Sequence, residues 1–317
     1  MAFGTDHIIT TEVPNFIPEL WSDEVIAAYK SNLVYANNVR KLNHRGKKGD
    51  TIKIPTPARG SATERFGQQV LVTFIDHGTD AGVSIAIDKH YEYSRLIEDL
   101  VDIQALESLR RFYTDDGGYA IAKEVDTQLI LEAARADWTV VYSGGAIQDT
   151  STITGTVYEG DGTEWDEAGT TDISDAGIRS FIKVLDDVDA PMAGRVLVVP
   201  TIAKKDLLGI ARFTEQAFVG EVGGGNTIRN GLIGDIYGSE VFVSTNLPVV
   251  DDSAGGADNI LAQYFQKDAL VLVEQMGVRA QSQYKQEYLA DLMTVDMVWG
   301  NKCVRPTSVV NFVVPTT

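Results

Sequence analysis

The side chains here that could do chemistry are four histidines, a single cysteine and several paired carboxylates, and their spacing argues against most of it. His7, His44, His77 and His90 form no HExxH or other paired-ligand spacing, and Cys303, the only cysteine, can build neither a thiolate zinc site nor an intrachain disulfide. Cys303 sits between Lys302 and Val304 in a strand-like context, where a lone cysteine usually serves as a small hydrophobe. No glycine loop ends in Lys-Ser or Lys-Thr, and Arg45-Gly46-Lys47-Lys48-Gly49-Asp50 precedes a strand, so it lacks the helix N-terminus that holds phosphate. No Gly-x-Ser-x-Gly elbow is present. Asp251-Asp252-Ser253-Ala254-Gly255-Gly256-Ala257-Asp258 lacks the spacing and terminal glutamate of a calcium loop and reads as a solvated acidic loop. The pairs Glu98-Asp99 and Asp115-Asp116 fit capping and solvation better than acid–base work. These residues predict no catalytic site, no metal and no cofactor.

Charge is the stronger signal. The chain carries a formal −18, which repels phosphate over the surface as a whole. Yet Arg40, Lys41, Arg45, Lys47, Lys48, Lys53, Arg59 and Arg65 crowd one stretch, opposed there by Asp50 and Glu64. Such a patch suits nucleic acid or an acidic partner, which can be another copy of the same chain. Met1-Ala2-Phe3-Gly4-Thr5-Asp6 has neither the cationic nor the apolar part of an export signal, and no apolar run is long enough to span a bilayer. A soluble, unexported chain is expected.

The elements that must position these groups follow from periodicity. At 317 residues the length suits two compact units or one elaborated one. Residues 1–20, with Pro14 and Pro18, read as an arm; Trp21, Val25, Ala28 and Tyr29 then share a helical face. Thr51-Ile52-Lys53-Ile54-Pro55 alternates like a half-wet strand, Gly60-Ser61-Ala62-Thr63 reads as a tip, and Val70–Asp76 and Val83–Asp88 supply further strands. The result is a long basic hairpin, marginal by itself and without a sequence-local surface to lie on. Leu96, Leu100, Ile103, Leu106, Leu109 and Phe112 recur at helical steps. Asp115-Asp116-Gly117-Gly118 reads as a kink or cap before the pattern resumes at Ile121, Val125, Leu129 and Ala133. Residues 140–174 read as a loop or small β insertion. A helix through Ile178, Phe181, Ile182 and Leu185, the buried strand Arg195–Val199 and a helix over 203–208 make an α/β unit. Strands follow at 239–244, 270–274, 292–298 and 309–314.

In this order the parts resemble one family, the major capsid proteins of tailed bacteriophages with the HK97-like fold. Gly49-Asp50-Thr51-Ile52-Lys53-Ile54-Pro55 looks like the entry to that family's extended loop (E-loop), and Tyr119–Ile130 looks like its spine helix, where Ala is paired with Asp ahead of apolar residues. Arg195–Pro200 is similar to its axial-domain (A-domain) strand. Gly231–Pro248, closing on Ser244-Thr245-Asn246-Leu247-Pro248, is the most diagnostic stretch. Ala269–Leu272, Asp296–Gly300 and Val304-Arg305-Pro306 look like the ending of the peripheral (P) domain. The resemblance runs from about Ile17 to Val314.

It implies an α+β chain divided into an N-terminal arm and first helix (1–45), an E-loop (46–93), a spine helix (94–138), an A domain (139–268, with an insertion at 140–174) and P-domain strands (269–317). It also implies a non-enzymatic virion subunit, made in the host cytoplasm, that forms pentamers and hexamers and tiles an icosahedral shell around double-stranded DNA without sequence-specific binding. A separate scaffolding protein, a portal and, in some relatives, a decoration protein would be partners, with no membrane involved. No long extension precedes Ile17, so scaffolding is expected from a separate protein. Beside the resemblance, the residues predict a contact between copies: Lys53, Arg59, Arg65, Phe66, Val70, Val72 and Phe74 of one hairpin against Glu98, Asp99, Asp102 and Glu107 of a neighbour. Surface ion pairs contribute only ~0–1 kcal/mol each, so the apolar members should dominate. An encapsulin-type nanocompartment shell shares the fold and is the nearest alternative; a soluble α/β enzyme is the alternative from another class.

Overall fold

A computed structural model describes residues 33–46, 48–56, 62, 64, 81–99, 109–148, 151–166, 170–210, 234–250 and 258–316. Strands β1 (Arg40–Asn43), β2 (Thr51–Thr56), β3 (Ala81–Ala86) and β4 (Lys89–Glu98) precede a long helix, Leu109–Ala134. Short strands β5 (Trp138–Thr139), β6 (Tyr142–Ser143), β7 (Ala146–Ile147), β8 (Thr152–Ile153) and β9 (Tyr158–Glu159) fill the Gly/Thr-rich stretch. Helix Asp175–Asp187, β10 (Arg195–Val199) and helix Thr201–Gly209 form the α/β unit. Then come β11 (Asp235–Ile236), β12 (Ser239–Val243), β13 (Val249–Val250), β14 (Asn259–Gln266), β15 (Leu270–Lys285), β16 (Ala290–Cys303) and β17 (Val309–Pro315).

Two sheets organise the described residues. One is four-stranded in the order β1-β15-β16-β4, with β1 parallel to β15 and the other pairs antiparallel. The other is nine-stranded, running β11-β12-β10-β14-β13-β7-β6, with β17 also on β14 and β9 on β17. Strand β10 is buried at every position, as its unbroken apolar run predicts for a strand covered on both faces. Helix Asp175–Asp187 covers one face of this larger sheet, its Phe181 ring stacked on Phe312 at 4.5 Å. Its start is capped by Ser174, whose hydroxyl accepts the Gly177 amide at 3.1 Å. Because β17 pairs along β14, the last strand lies in this sheet and the 269–317 stretch divides between the two.

Two sequence expectations fail around the long helix. Helical spacing from Leu96 is not realised at 94–98, which belong to strand β4, because β16 offers a continuous antiparallel partner from Ala290↔Glu98 to Trp299↔Lys89. Long-range pairing here overrides local periodicity. Asp115-Asp116-Gly117-Gly118 does not cap or break the helix, which continues through it. Gly117 instead marks a close approach to the sheet: a Cβ there would sit 2.7 Å from the Tyr93 ring, and the Tyr93 hydroxyl donates to Asp116 at 3.1 Å. Gly118 faces open space. Gly118→Ala should therefore raise stability by about 1 kcal/mol through helix propensity, while Gly117→Ala should not. Urea denaturation of the unassembled chain checks both.

The helix joins the two sheets. Toward the smaller it buries Val125 and Leu129 with Trp299, on which Tyr91 stacks at 4.9 Å. Buried amides from the strands then grip its carbonyls. Asn301 Nδ2 donates to Gln128 O at 2.8 Å, Gln263 Nε2 to Ile130 O at 3.1 Å, and Asn311 Nδ2 to Ala133 O at 3.1 Å. Tyr35 Oη donates to Gln263 Oε1 at 2.6 Å, extending the network to the turn Tyr35–Asn37. Buried polar groups satisfied in this way hold elements in one arrangement.

Candidate inter-subunit surface

The base of the predicted hairpin is formed as expected. β2 pairs antiparallel with β3, placing Lys53 opposite Ser84, and the Ile87 amide donates to Asp50 O at 2.7 Å. The missing surface is partly supplied by the chain itself. Ile85 and Ile87 are buried against Val271 and Val273 on the outer face of the four-stranded sheet, flanked by Leu42, Ile52, Ile54 and Val298. Gly300 makes this seat possible, because a Cβ there would land on the carbonyl oxygen of Ala86.

Beyond the seat, this outer face continues without cover from the described residues. Cross-strand partners share a face, so the rows Arg279–Asp296–Glu92, Gln281–Thr294–Ser94 and Gln283–Leu292–Leu96 lie on it. The opposite face, carrying Tyr93, Met293 and Val295, meets the long helix. Leu96 is 48% exposed, and Glu92 and Glu98 are exposed beside it. The face is thus partly apolar, with Glu92 and Glu98 as its exposed acids and Lys285 in the row of Glu98, and Glu92 is placed to meet the cations of a basic hairpin. At its centre Arg279 binds Asp296 through two hydrogen bonds, of 3.0 and 2.7 Å. His90 Nε2 lies 3.4 Å from the same carboxylate. The Arg279 bonds hold Asp296 below the usual carboxylate range. This pair therefore stabilises the fold above the unfolded carboxylate value of about 3.9 and loses that contribution as pH falls through the lower, folded value.

At the far end, the β15–β16 hairpin presents Tyr288 and Leu289, 65% and 63% exposed. Leu289 has φ +48°, a left-handed conformation unfavourable for a leucine. Nearby, the Tyr284 hydroxyl donates to Asp99 at 2.8 Å. Among the described residues no cluster of His, Cys, Asp or Glu could hold a metal ion, and no helix is long and apolar enough to cross a membrane. Burial pushes the Cys303 thiol up to about 12, which leaves almost none of it as thiolate near neutral pH.

Neither a family model nor a curated protein sequence matches this chain. Solved structures do. A chain of Mycobacterium phage Che8 is 26% identical, with a TM-score of 0.67 over 94% of this chain and 97% of that one. The acid-stable capsid of Helicobacter pylori bacteriophage KHP30 superposes at 0.73 with 11% identity, over 99% of this chain and 100% of that one. The capsid of cyanophage P-SCSP1u superposes at 0.69 with 17% identity, covering 96% and 95%. This chain shares the fold of phage capsid structures. The fold is α+β and HK97-like, and the structural likeness is to capsid components rather than enzymes.

Within this fold the residues expected to meet between copies are widely placed. Lys53 is exposed on β2 and Glu98 is exposed at the end of β4. The 10-residue β4 spans about 30 Å, and the hairpin is seated at its Lys89 end, so Lys53 and Glu98 are far apart within one subunit. Asp99 is engaged by Tyr284. Arg59, Arg65, Phe66, Val70, Val72, Phe74, Asp102 and Glu107 lie outside the described residues, as does the helix expected from Trp21. Glu92, Leu96, Asp296 and Arg279 on the sheet face, with Tyr288 and Leu289 at the tip, are candidate contact residues that the sequence did not single out. The alternation Tyr91-Glu92-Tyr93 carried the signal for Glu92.

Proposed function

We propose that the chain is the major capsid protein of a tailed phage, assembling as pentamers and hexamers into an icosahedral shell around double-stranded DNA. In this reading each E-loop stays anchored at its seat on its own sheet and extends from there across the outer face of a neighbour's, Lys53 and its neighbouring cations over Glu92 and Glu98. The observation that carries it is the exposed acidic and apolar face continuing from the hairpin's own seat. A scaffolding protein, portal and decoration protein belong to this reading, and the −18 charge suits a container that does not adhere to its DNA. Negative-stain microscopy of the expressed protein, alone and with scaffold, tests it: rings or closed shells are expected, and dispersed particles at high concentration with scaffold would overturn it. DNA rather than an enzyme cargo inside particles from infected cells separates it from a nanocompartment shell.

The hairpin tip gives a second test. Leu289→Gly removes both the backbone strain and the exposed apolar side chain. The isolated subunit should become more stable by about 1 kcal/mol, while the yield of shells by sedimentation falls. Unchanged yield would remove the tip from the contact.

A further inference from the structure

We propose that Arg135, Lys302 and Lys89, gathered where the long helix ends, are a docking site for a second copy of this chain, which seats on them its turn Asp187–Met192. This inference rests on the assembly reading and adds a contact separate from that of the E-loop. The three cations stand around Glu132, a buried carboxylate of the long helix. Arg135 Nη1 donates to Glu132 Oε2 at 2.9 Å, and Lys302 Nζ lies 3.5 Å from Oε1. Lys89 Nζ donates to Asn301 Oδ1 at 2.6 Å. Burial holds the Lys89 ammonium below its usual range, and the nearby Arg135 and Lys302 charges add to that against Asp88 and Glu132. Three cations thus meet two carboxylates, a local positive excess on a chain whose total is −18. The Arg135 and Lys302 side chains are 42% and 48% exposed, so that excess faces outward.

The turn Asp187–Met192 has the opposite character. It follows helix Asp175–Asp187, whose last turn holds Asp186 and Asp187 and no basic residue. Carboxylates there add to the negative end of the helix dipole and are locally unfavourable. Asp186 is answered by Arg195 at 2.6 Å. Asp187 has only Lys183, at 3.9 Å, and among the described residues no cation pairs with Asp189. Beside these acids Val188 is exposed, and Met192, at 67%, is the most exposed large apolar side chain among the described residues. Acids placed where the backbone disfavours them, next to apolar groups left in water, make the lone subunit less stable. A cationic surface with long aliphatic stems relieves both.

One chain cannot join the two. Val196 and Val198 of β10 pack with Leu129 and Ile130 of the long helix, whereas Leu197 and Val199 pack with Phe181 and Leu185 of helix Asp175–Asp187. The cations and the acidic turn therefore belong to opposite sides of the larger sheet. A contact between unlike patches of successive copies is heterologous and closes into a ring when the rotation allows, as the pentamers and hexamers of the assembly reading require. Exposed ion pairs contribute little individually. The charges orient the turn, and cover for Met192 and Val188 by the stems of Arg135 and Lys302 supplies the burial.

Cysteine trapping in the full chain reads this contact directly. A chain carrying both Met192→Cys and Lys302→Cys should, once assembled and oxidised, give a ladder of linked chains on a non-reducing gel, while neither single variant does. Asp187→Lys should melt no lower than wild type, because a cation suits the end of a helix, yet give about tenfold fewer shells by sedimentation. Shells of the double-cysteine chain without a ladder overturn this contact and leave the assembly reading standing, as do wild-type shell yields from Asp187→Lys. A link formed within one unassembled chain overturns the contact too, since it would place the two patches together in a single copy. A wild type that forms no shells, even with scaffold, overturns both readings at once.

Discussion

Replacing Asn311 with leucine is expected to lower the stability of the subunit by about 4 kcal/mol, although leucine fits the volume and adds apolar surface. Asn311 is fully buried at the crossing of β17 with the end of the long helix. Its Nδ2 donates to Ala133 O at 3.1 Å and to Asp137 Oδ2 at 2.8 Å, and its Oδ1 accepts from Gln263 Nε2 at 2.8 Å. Leucine would leave a buried carbonyl, a buried amide donor and the half-buried Asp137 carboxylate without this partner. Each such orphan costs roughly 1–3 kcal/mol where water cannot replace the lost bond. The carboxylate matters most. Burial already pushes Asp137 up, with the Asn311 bonds pulling it back. Without Asn311 its value should rise further, so the variant should recover part of its deficit on acidification, as the native state takes up a proton ahead of the unfolded chain. Urea denaturation at pH 7.5 and 5.5 measures both effects. A loss below about 1 kcal/mol at pH 7.5 would mean that the network is not the joint it is taken for.

That network also explains which parts of the fold were legible in the sequence. Tyr119–Ile130 and Gly231–Pro248 carry much of the family resemblance while lying more than a hundred residues apart. In the structure Asn246 reaches Asp126 and Thr127, so two patterns that look separate in sequence belong to one polar joint. Strand β10 was legible because a strand buried on both faces has no polar phase to confuse it, and the β2–β3 pair because Ile52, Lys53 and Ile54 alternate cleanly. The start of the helix was not. Tyr91, Tyr93 and Ile97 keep the two-residue period of a strand, while Leu96 begins a helical one, and only the presence of β16 alongside decides between them. Gly117 was misread for a related reason: a glycine that admits a neighbouring ring and a glycine that breaks a helix look identical until the ring is placed. The alternation around Glu92 hinted at its outward side, but the sheet face that joins it to Asp296 could not be read, because it exists only once β4, β15 and β16 are side by side.

Gly300→Ala should have the largest effect on assembly of any single methyl group in the described structure. Its added Cβ would land on Ala86 O, with Ile87 Cα 3.1 Å away. Both are backbone atoms, so no side-chain rotation relieves the clash and the β3 end must lift. Lifting it exposes Ile85 and Ile87, which fill the pocket beside Val271 and Val273. Overpacking of this kind costs about 1–3 kcal/mol, and partial loss of burial for two isoleucines adds to it, so a decrease of about 3 kcal/mol is expected. Stability alone does not explain the expected assembly defect. The hairpin pivots on this seat, and a small tilt at residues 86–87 displaces everything carried farther out along β2 and β3. Ile87→Ala separates the two effects, since it removes packing from the same pocket without moving backbone. If the direction of the hairpin is what matters, Ile87→Ala should be comparably destabilised yet still form closed shells, whereas Gly300→Ala should give subunits or open fragments by sedimentation and negative-stain microscopy. Closed shells from Gly300→Ala at wild-type yield would show that the seat does not aim the loop, and the contact between neighbours would have to be sought elsewhere on the subunit.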